Sequence, residues 1–281
     1  MQIPCLLPMM KALPVISTIA SFLIISPAQA ISTFGINNTT QKFTSSTPES
    51  TLINNGVARV SNDNTNIYIG TNQVTSTNQD PIITSFTNGV RDWVTTDIET
   101  TGADARGVAL LWDGSNSLYA AFTTDGTQGN VSADFRRFTS NGWLTTYGQG
   151  GGAKATVLLG IDPTTGTGIT GKGTFVSALL SNGNTNSLVP TEMAFSGTDL
   201  VLTADSFFSP RRIDTTRMTQ TNPGSSPFSY TVTFDENLTQ AQSAVAPGWD
   251  GTAASVPFDF KSSTGLLMSL LLYGFVKMRR S

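Results

Sequence analysis

The chain has 281 residues, with 16 Lys and Arg against 19 Asp and Glu, a formal net charge of −3, and a composition that is 38% hydrophobic and only 12% charged. That hydrophobic share with so little net charge excludes a disordered chain, and the lack of a basic footprint excludes a nucleic-acid binder. Histidine is absent and the one cysteine is Cys5; Ser-His-Asp triads, His bases and His metal ligands are therefore ruled out, and everything after residue 30 lacks thiols and disulfides.

Residues 1–30 read as an export signal. Lys11 supplies the positive charge, Ala12 to Ser26 is apolar, and Pro27-Ala28-Gln29-Ala30 closes the stretch with small residues. Ala28 and Ala30 fit the small-residue recognition of a signal peptidase, which places cleavage after Ala30. The apolar run is short for a membrane span. Cys5 precedes it, whereas a lipid-bearing cysteine would follow it.

Residues 31–243 are expected to form one all-β extracytoplasmic domain. Thr-, Ser- and Asn-rich stretches at 31–54 and 214–229 read as loop or linker. Elsewhere short runs of Val, Ile, Leu, Tyr and Phe alternate with clusters of Asn, Asp, Ser, Thr and Gly, and no convincing amphipathic helix occurs. A repeat emerges when the segments are stacked. Val57-Ala58-Arg59-Val60 leads through a polar turn into Ile67-Tyr68-Ile69, Val108–Trp112 leads through Asp113–Ser117 into Leu118–Thr123, and Val157–Ile161 leads through Asp162–Gly166 into Thr167–Gly171. Met193–Phe195 and Leu200–Thr203 make a shorter fourth copy. A second feature recurs: Phe86-Thr87-Asn88-Gly89 precedes Trp93, and Phe138-Thr139-Ser140-Asn141-Gly142 precedes Trp143. Each unit reads as two Gly- or Asx-turned hairpins of blade size. The run Asp113 to Thr123 resembles the aspartate-turned repeats of extracellular bacterial β-propellers. The expected architecture is a propeller-like array, with a β-sandwich or jelly roll as the competing form.

Candidate sites in this region divide by chemistry. Asp113, Asp125, Asp162 and Asp205 sit at strand ends or turns, where a pair about 5–10 Å apart would suit a carbohydrate-active hydrolase or lyase; in the bland reading each Asp caps its own turn. The turns at Asp63 and Asp113 offer oxygen ligands for calcium as a cofactor, without matching the twelve-residue loop that ends in Glu. Arg136-Arg137 and Arg211-Arg212, with Arg217 nearby, are two doublets suited to planar anionic groups of a polysaccharide, unless Asp134 and Asp214 neutralise them within the fold. Trp93, Trp112 and Trp143 are candidate glycan platforms or buried anchors. The glycine-rich Tyr147–Lys154 segment lacks the Ser/Thr and the helix of a phosphate loop.

Residues 244–256 are small, flexible and Pro/Gly-bearing, as a spacer would be. Then come Pro257-Phe258-Asp259-Phe260, an apolar run from Thr264 to Val276, and the basic cluster Lys277, Arg279 and Arg280. Thirteen helical residues rise only about 20 Å, so the flanking cations would have to snorkel, and they favour the cytoplasmic side. This three-part tail, residues 257–281, resembles the PEP-CTERM class of bacterial sorting signals, in particular the cyanobacterial variant with a Pro-Phe-Glu-Phe-like motif. Here Asp259 stands where that variant has Glu. The resemblance implies transient membrane retention, processing near Pro257 by an exosortase-type protease, and delivery to the cell surface or outer envelope. The expected function is a non-enzymatic surface or extracellular-matrix protein that binds glycans or neighbouring proteins.

Overall fold

A computed structural model describes residues 31–34, 41–126, 129–150 and 154–251; the predicted export signal and the sorting tail lie outside them. The chain order is β1 (Ile31–Phe34), α1 (Glu49–Asn54), β2 (Arg59–Asn62), β3 (Thr65–Thr75), β4 (Asn78–Thr87), β5 (Val90–Thr95), β6 (Ala105–Trp112), β7 (Leu118–Thr124), β8 (Ala155–Ile161), β9 (Gly168–Val176), β10 (Ala178–Leu179), β11 (Thr185–Asn186), β12 (Leu188–Ser196), β13 (Asp199–Ser206), β14 (Phe228–Phe234) and β15 (Ala241–Val245). The described body is all-β. It has four antiparallel sheets and no closed barrel: β2-β3-β4-β5, β1-β6-β7-β8-β9, β12-β13-β14-β15 and the short pair β10-β11.

Local chemistry explains the three large meanders. The β4–β5 turn places Asn88 and Gly89 at φ 52° and 80°, the primed turn whose twist matches its strands and which favours Asn-Gly. Asp63 turns β2 into β3 at φ 49°, and Asp113 closes the β6–β7 turn by accepting the amides of Ser115 and Ser117 at 2.7 and 3.0 Å.

The sheet holding β6 to β9 is the middle layer. On one face Leu110, Trp112, Leu118, Ala120, Phe122, Val157, Leu159 and Ile161 meet Val60, Ile67, Ile69 and Ile83 of the first meander. On the other face Ala109, Leu111, Tyr119, Ala121 and Leu158 meet Leu200, Leu202, Tyr230, Val232 and Phe234 of the third. Strands covered on both faces read as unbroken apolar runs, hence Val108–Trp112 and Val157–Ile161. The third meander has one wet face, and β13 alternates half-buried with buried residues along its length, as a half-buried strand should. Helix α1 lies against the outer face of the first meander, where Leu52, Phe43 and Val57 pack with Tyr68, Ile82 and Phe86.

Four sequence expectations need correction. The hairpin pattern at 57–71, 108–123, 157–171 and 193–203 is present, but the second and third copies belong to one sheet, so a copy is half a meander rather than a whole one. Phe138–Trp143 forms no hairpin: a single 3-10 turn spans Phe135–Arg137, and the Trp143 amide instead reaches Leu238 O at 2.9 Å. Within the stretch read as loop at 31–54 lie β1 and α1, the latter fixed by burial of Leu52 and of Glu49, which accepts from Tyr68 Oη at 2.9 Å. Strand β15 crosses the expected boundary at residue 243, and the body continues to Asp250, whose carboxylate pairs with Arg212 at 2.5 Å. Among the described residues no helix is long and apolar enough to cross a membrane.

Candidate functional site

The predicted carboxylates are distributed by the meanders, and Asp113 and Asp162 each serve their own turn. Three aspartate turns do share one end of the first two sheets. Asn62 Nδ2, beside Asp63, donates to Gly114 O at 2.6 Å, and the Asp162–Gly166 turn docks on β5, where Trp93 Nε1 donates to Pro163 O at 3.0 Å and Thr95 Oγ1 to Gly166 O at 2.8 Å. Gly166 has φ +74° and a Cβ there would lie 2.2 Å from the Trp93 ring, so this turn requires glycine twice over.

Asp113, Asp162 and Asp125 are themselves occupied. Partial burial pushes the Asp113 carboxyl up, but the amides of Ser115 and Ser117 outweigh it and hold the group below the ordinary aspartate range. Asp162 accepts the amide and hydroxyl of Thr164 at 2.8 and 2.6 Å, and these bonds hold it low. Asp125 lies at the opposite end of the middle sheet, where it accepts the Asp104 amide at 3.2 Å, and Asp205 stands on β13 opposite Ser229. Among the described residues no group of three or more Asp, Glu, His or Cys is placed to hold a metal, so the calcium candidates Asp63 and Asp113 come together as neighbouring turns without forming a ligand cluster.

Asp113→Ala is expected to cost roughly 1–2 kcal/mol, the usual loss for a pair of such hydrogen bonds, measured by urea unfolding. Asp113→Asn keeps an acceptor and costs less. The wild-type advantage over Asn should be present above the ordinary aspartate range and vanish as pH falls through the lowered value; a pH-independent difference would refute the assignment.

The arginine doublets face inward. Arg136 is bonded to Asp134 through Nε at 2.9 and 3.1 Å and through Nη2 at 2.6 Å, and also reaches Gly129 O. Arg137 donates to Ser132 O at 3.1 Å and to Asp97 O, and lies over the Phe138 ring. Arg211, 9% exposed, donates to Ser177 O, Ser177 Oγ, Thr185 Oγ1 and Thr215 O; burial without an acid partner pulls it down to about 10. Arg212 is paired with Asp250 at 2.5 Å, whereas Asp214 accepts from Thr216. Of the two neutralising acids named from sequence, Asp134 does so and Asp250 takes the place of Asp214. The tryptophans follow suit: Trp112 is buried among core side chains, and Trp143 donates to Ile213 O at 2.6 Å and stacks edge-on against Phe234.

Among the described residues, the carboxylate with a buried oxygen left unpartnered is Glu99, to which no sequence pattern points. It is 1% exposed. Its Oε1 accepts the Thr101 amide at 2.9 Å and the Thr101 hydroxyl, while Oε2 is buried with no hydrogen-bond partner among the described residues. Glu99 lines a cavity of about 10 Å³ together with Asp134, Tyr147, Thr124, Phe135 and Phe175. Burial, followed by the charges of Asp80 and Asp134, pushes its carboxyl up, the two Thr101 bonds opposing. A space of that size suits a single water, far below the several hundred Å³ of a ligand pocket. No spacing signals Glu99 in the sequence; its only mark is a glutamate directly after apolar Ile98 in a chain with four glutamates.

The chain matches no protein-family model, no curated protein and no solved structure.

Proposed function

We propose that the protein is an exported, surface-sorted, non-enzymatic β-protein of the cell envelope or extracellular matrix, whose partners in transit are a signal peptidase and an exosortase-type protease, and whose contacts at the surface are with neighbouring proteins or extracellular polysaccharide. The observation that carries this reading is the order of the segments: a signal ending at Ala28-Gln29-Ala30, a strand-built body, then Pro257-Phe258-Asp259-Phe260, an apolar run and the basic cluster Lys277, Arg279 and Arg280. The body supports it indirectly. Asp113 and Asp162 cap their turns, both arginine doublets are bonded within the fold, and the carboxylate-lined cavity has room for a water only. That engagement also argues against a hydrolase or lyase built on an Asp pair, and against capture of anions by the four doublet arginines. We read the three meanders as propeller-like blades, because β1 of the middle sheet touches both β2 and β12, the first strands of the other two.

The test is to express the full chain in a bacterium carrying an exosortase-type system and to follow it by fractionation and intact mass. The expected product begins at Ile31 and ends near Pro257 outside the cell. The triple change Pro257→Ala, Phe258→Ala, Phe260→Ala should leave the chain in the membrane fraction with its tail attached. An uncut chain in the cytosol would overturn the proposal.

A further inference from the structure

The end of the third meander where the described chain stops carries an apolar patch that the described body leaves uncovered. Phe207 and Phe208, directly after β13, are 39% and 40% exposed. Their backbone is fixed in place: the Phe207 amide donates to Ser187 O at 3.1 Å, Ser226 Oγ donates to Phe207 O at 3.0 Å, and Ser206 Oγ donates to Phe208 O at 2.9 Å. The two rings are therefore presented by an ordered strand end. Exposed aromatic rings held in place are surface on which a further contact can form.

The chain leaves the body beside this patch. Phe228 pairs with Ser206 in the sheet and packs edge-on against Trp249, ring centroids 4.9 Å apart. The Asp250 amide donates to Thr219 O at 3.0 Å, and Gly251 approaches Met218 so closely that a Cβ would lie 2.9 Å from its methyl carbon. Immediately before Met218 stands Arg217, exposed, bridged to Arg211 in the backbone. Its guanidinium forms no hydrogen bond or ion pair with the described residues, unlike those of Arg136, Arg137, Arg211 and Arg212. Two bare rings and one unpaired cation thus border the exit.

Phe258 follows Gly251 by seven residues, an extended reach of at most about 25 Å. A Phe-Asp-Phe sequence offers two rings for the two rings and a carboxylate for the guanidinium. We propose that the Pro257-Phe258-Asp259-Phe260 motif docks within its own chain on Phe207, Phe208 and Arg217. A motif held there is withheld from a protease until it lets go, so the folded body regulates its own processing. That consequence rests on reading 257–260 as a sorting motif; the docking itself does not.

Disulfide trapping tests the docking without any protease. In the full chain with Cys5→Ser, the pair Phe208→Cys and Phe260→Cys is compared with Asn222→Cys and Phe260→Cys. Asn222 also borders the exit, its amide donating to Gly248 O at 3.1 Å, and so controls for tethering alone. The expected result is intrachain trapping roughly tenfold faster at 208 than at 222, beyond what a shared tether supplies. Arg217→Glu should slow it several-fold, and Asp259→Arg in that background should restore it. Equal rates at 208 and 222 would overturn the proposal. So would predominantly interchain products, which would assign the patch to a second copy, or trapping in detergent that is lost in lipid vesicles, which would assign it to the bilayer.

Discussion

Phe122→Ala is expected to lower the free energy of unfolding by about 3–5 kcal/mol, the usual cost of emptying a core position of a phenylalanine. A natural domain has a total of only about 5–15 kcal/mol, so the variant should stand near the limit of folding. Phe122 is fully buried in the middle sheet, its ring 5.3 Å from that of Phe135, which in turn lies 6.5 Å from Phe175. The surroundings cannot collapse into the space, because the next residues along β7, Ala121 and Tyr119, are pinned on the opposite face against the third meander. Urea unfolding monitored by circular dichroism would show a lower midpoint with an unchanged slope. A loss below about 1 kcal/mol would mean that the middle sheet is not sandwiched as described. Phe208→Ser, at the exposed patch, serves as the contrast and should change stability by no more than about 0.5 kcal/mol.

Glu99→Gln is expected to raise stability at neutral and alkaline pH and to flatten its pH dependence. The folded protein raises the Glu99 carboxyl above the ordinary glutamate range, through burial first and then the charges of Asp80 and Asp134. The sign follows: the folded state holds this proton more tightly than the unfolded state, so the contribution is fully present below the ordinary range and is lost as pH rises through the raised value. Asp80, also raised by burial and by the charge of Asp104, adds to the same slope. A glutamine keeps an acceptor for Thr101 and carries no charge into the cavity. Removing a buried, half-satisfied ionised group should return roughly 1–3 kcal/mol above the titration, and nothing at acidic pH where the glutamate is already neutral. Thermal unfolding of both proteins from pH 4 to 8 measures the difference. Parallel curves across that range would show that Glu99 keeps the same proton affinity folded and unfolded.

Strands and turns were legible because each depends on residues close in sequence. Asn88-Gly89 and Asp113–Ser117 declare their turns by their own chemistry, and the flanking apolar runs declare the strands. Sheet membership was not legible, since 108–123 and 157–171 look alike whether they lie in one sheet or two; only the β7–β8 ladder, Leu118 opposite Ile161, decides it. Helix α1 escaped notice because six residues carry too little periodicity, and tertiary packing of Leu52 and Glu49 fixes it instead. The arginines were visible as unusual, but whether a guanidinium faces solvent or a carbonyl such as Ser177 O depends on residues 34 positions away. Glu99 was hidden for the same reason: Asp134, Tyr147 and Phe175 reach its cavity from distant parts of the chain.

Every named ladder but one joins strands adjacent in sequence; the exception is β1 with β6, Ile31 opposite Trp112 and Phe34 opposite Ala109. Neighbouring strands close short loops and zip quickly, whereas a distant pairing must wait for its partner and bears a larger entropic delay. A chain emerging amino end first can therefore finish the β2–β5 meander while β1 still dangles, idle until residues 109–112 arrive. That seam joins the oldest part of the chain to a newer one, and the middle layer is whole only when it and the later β6–β9 ladders have all closed.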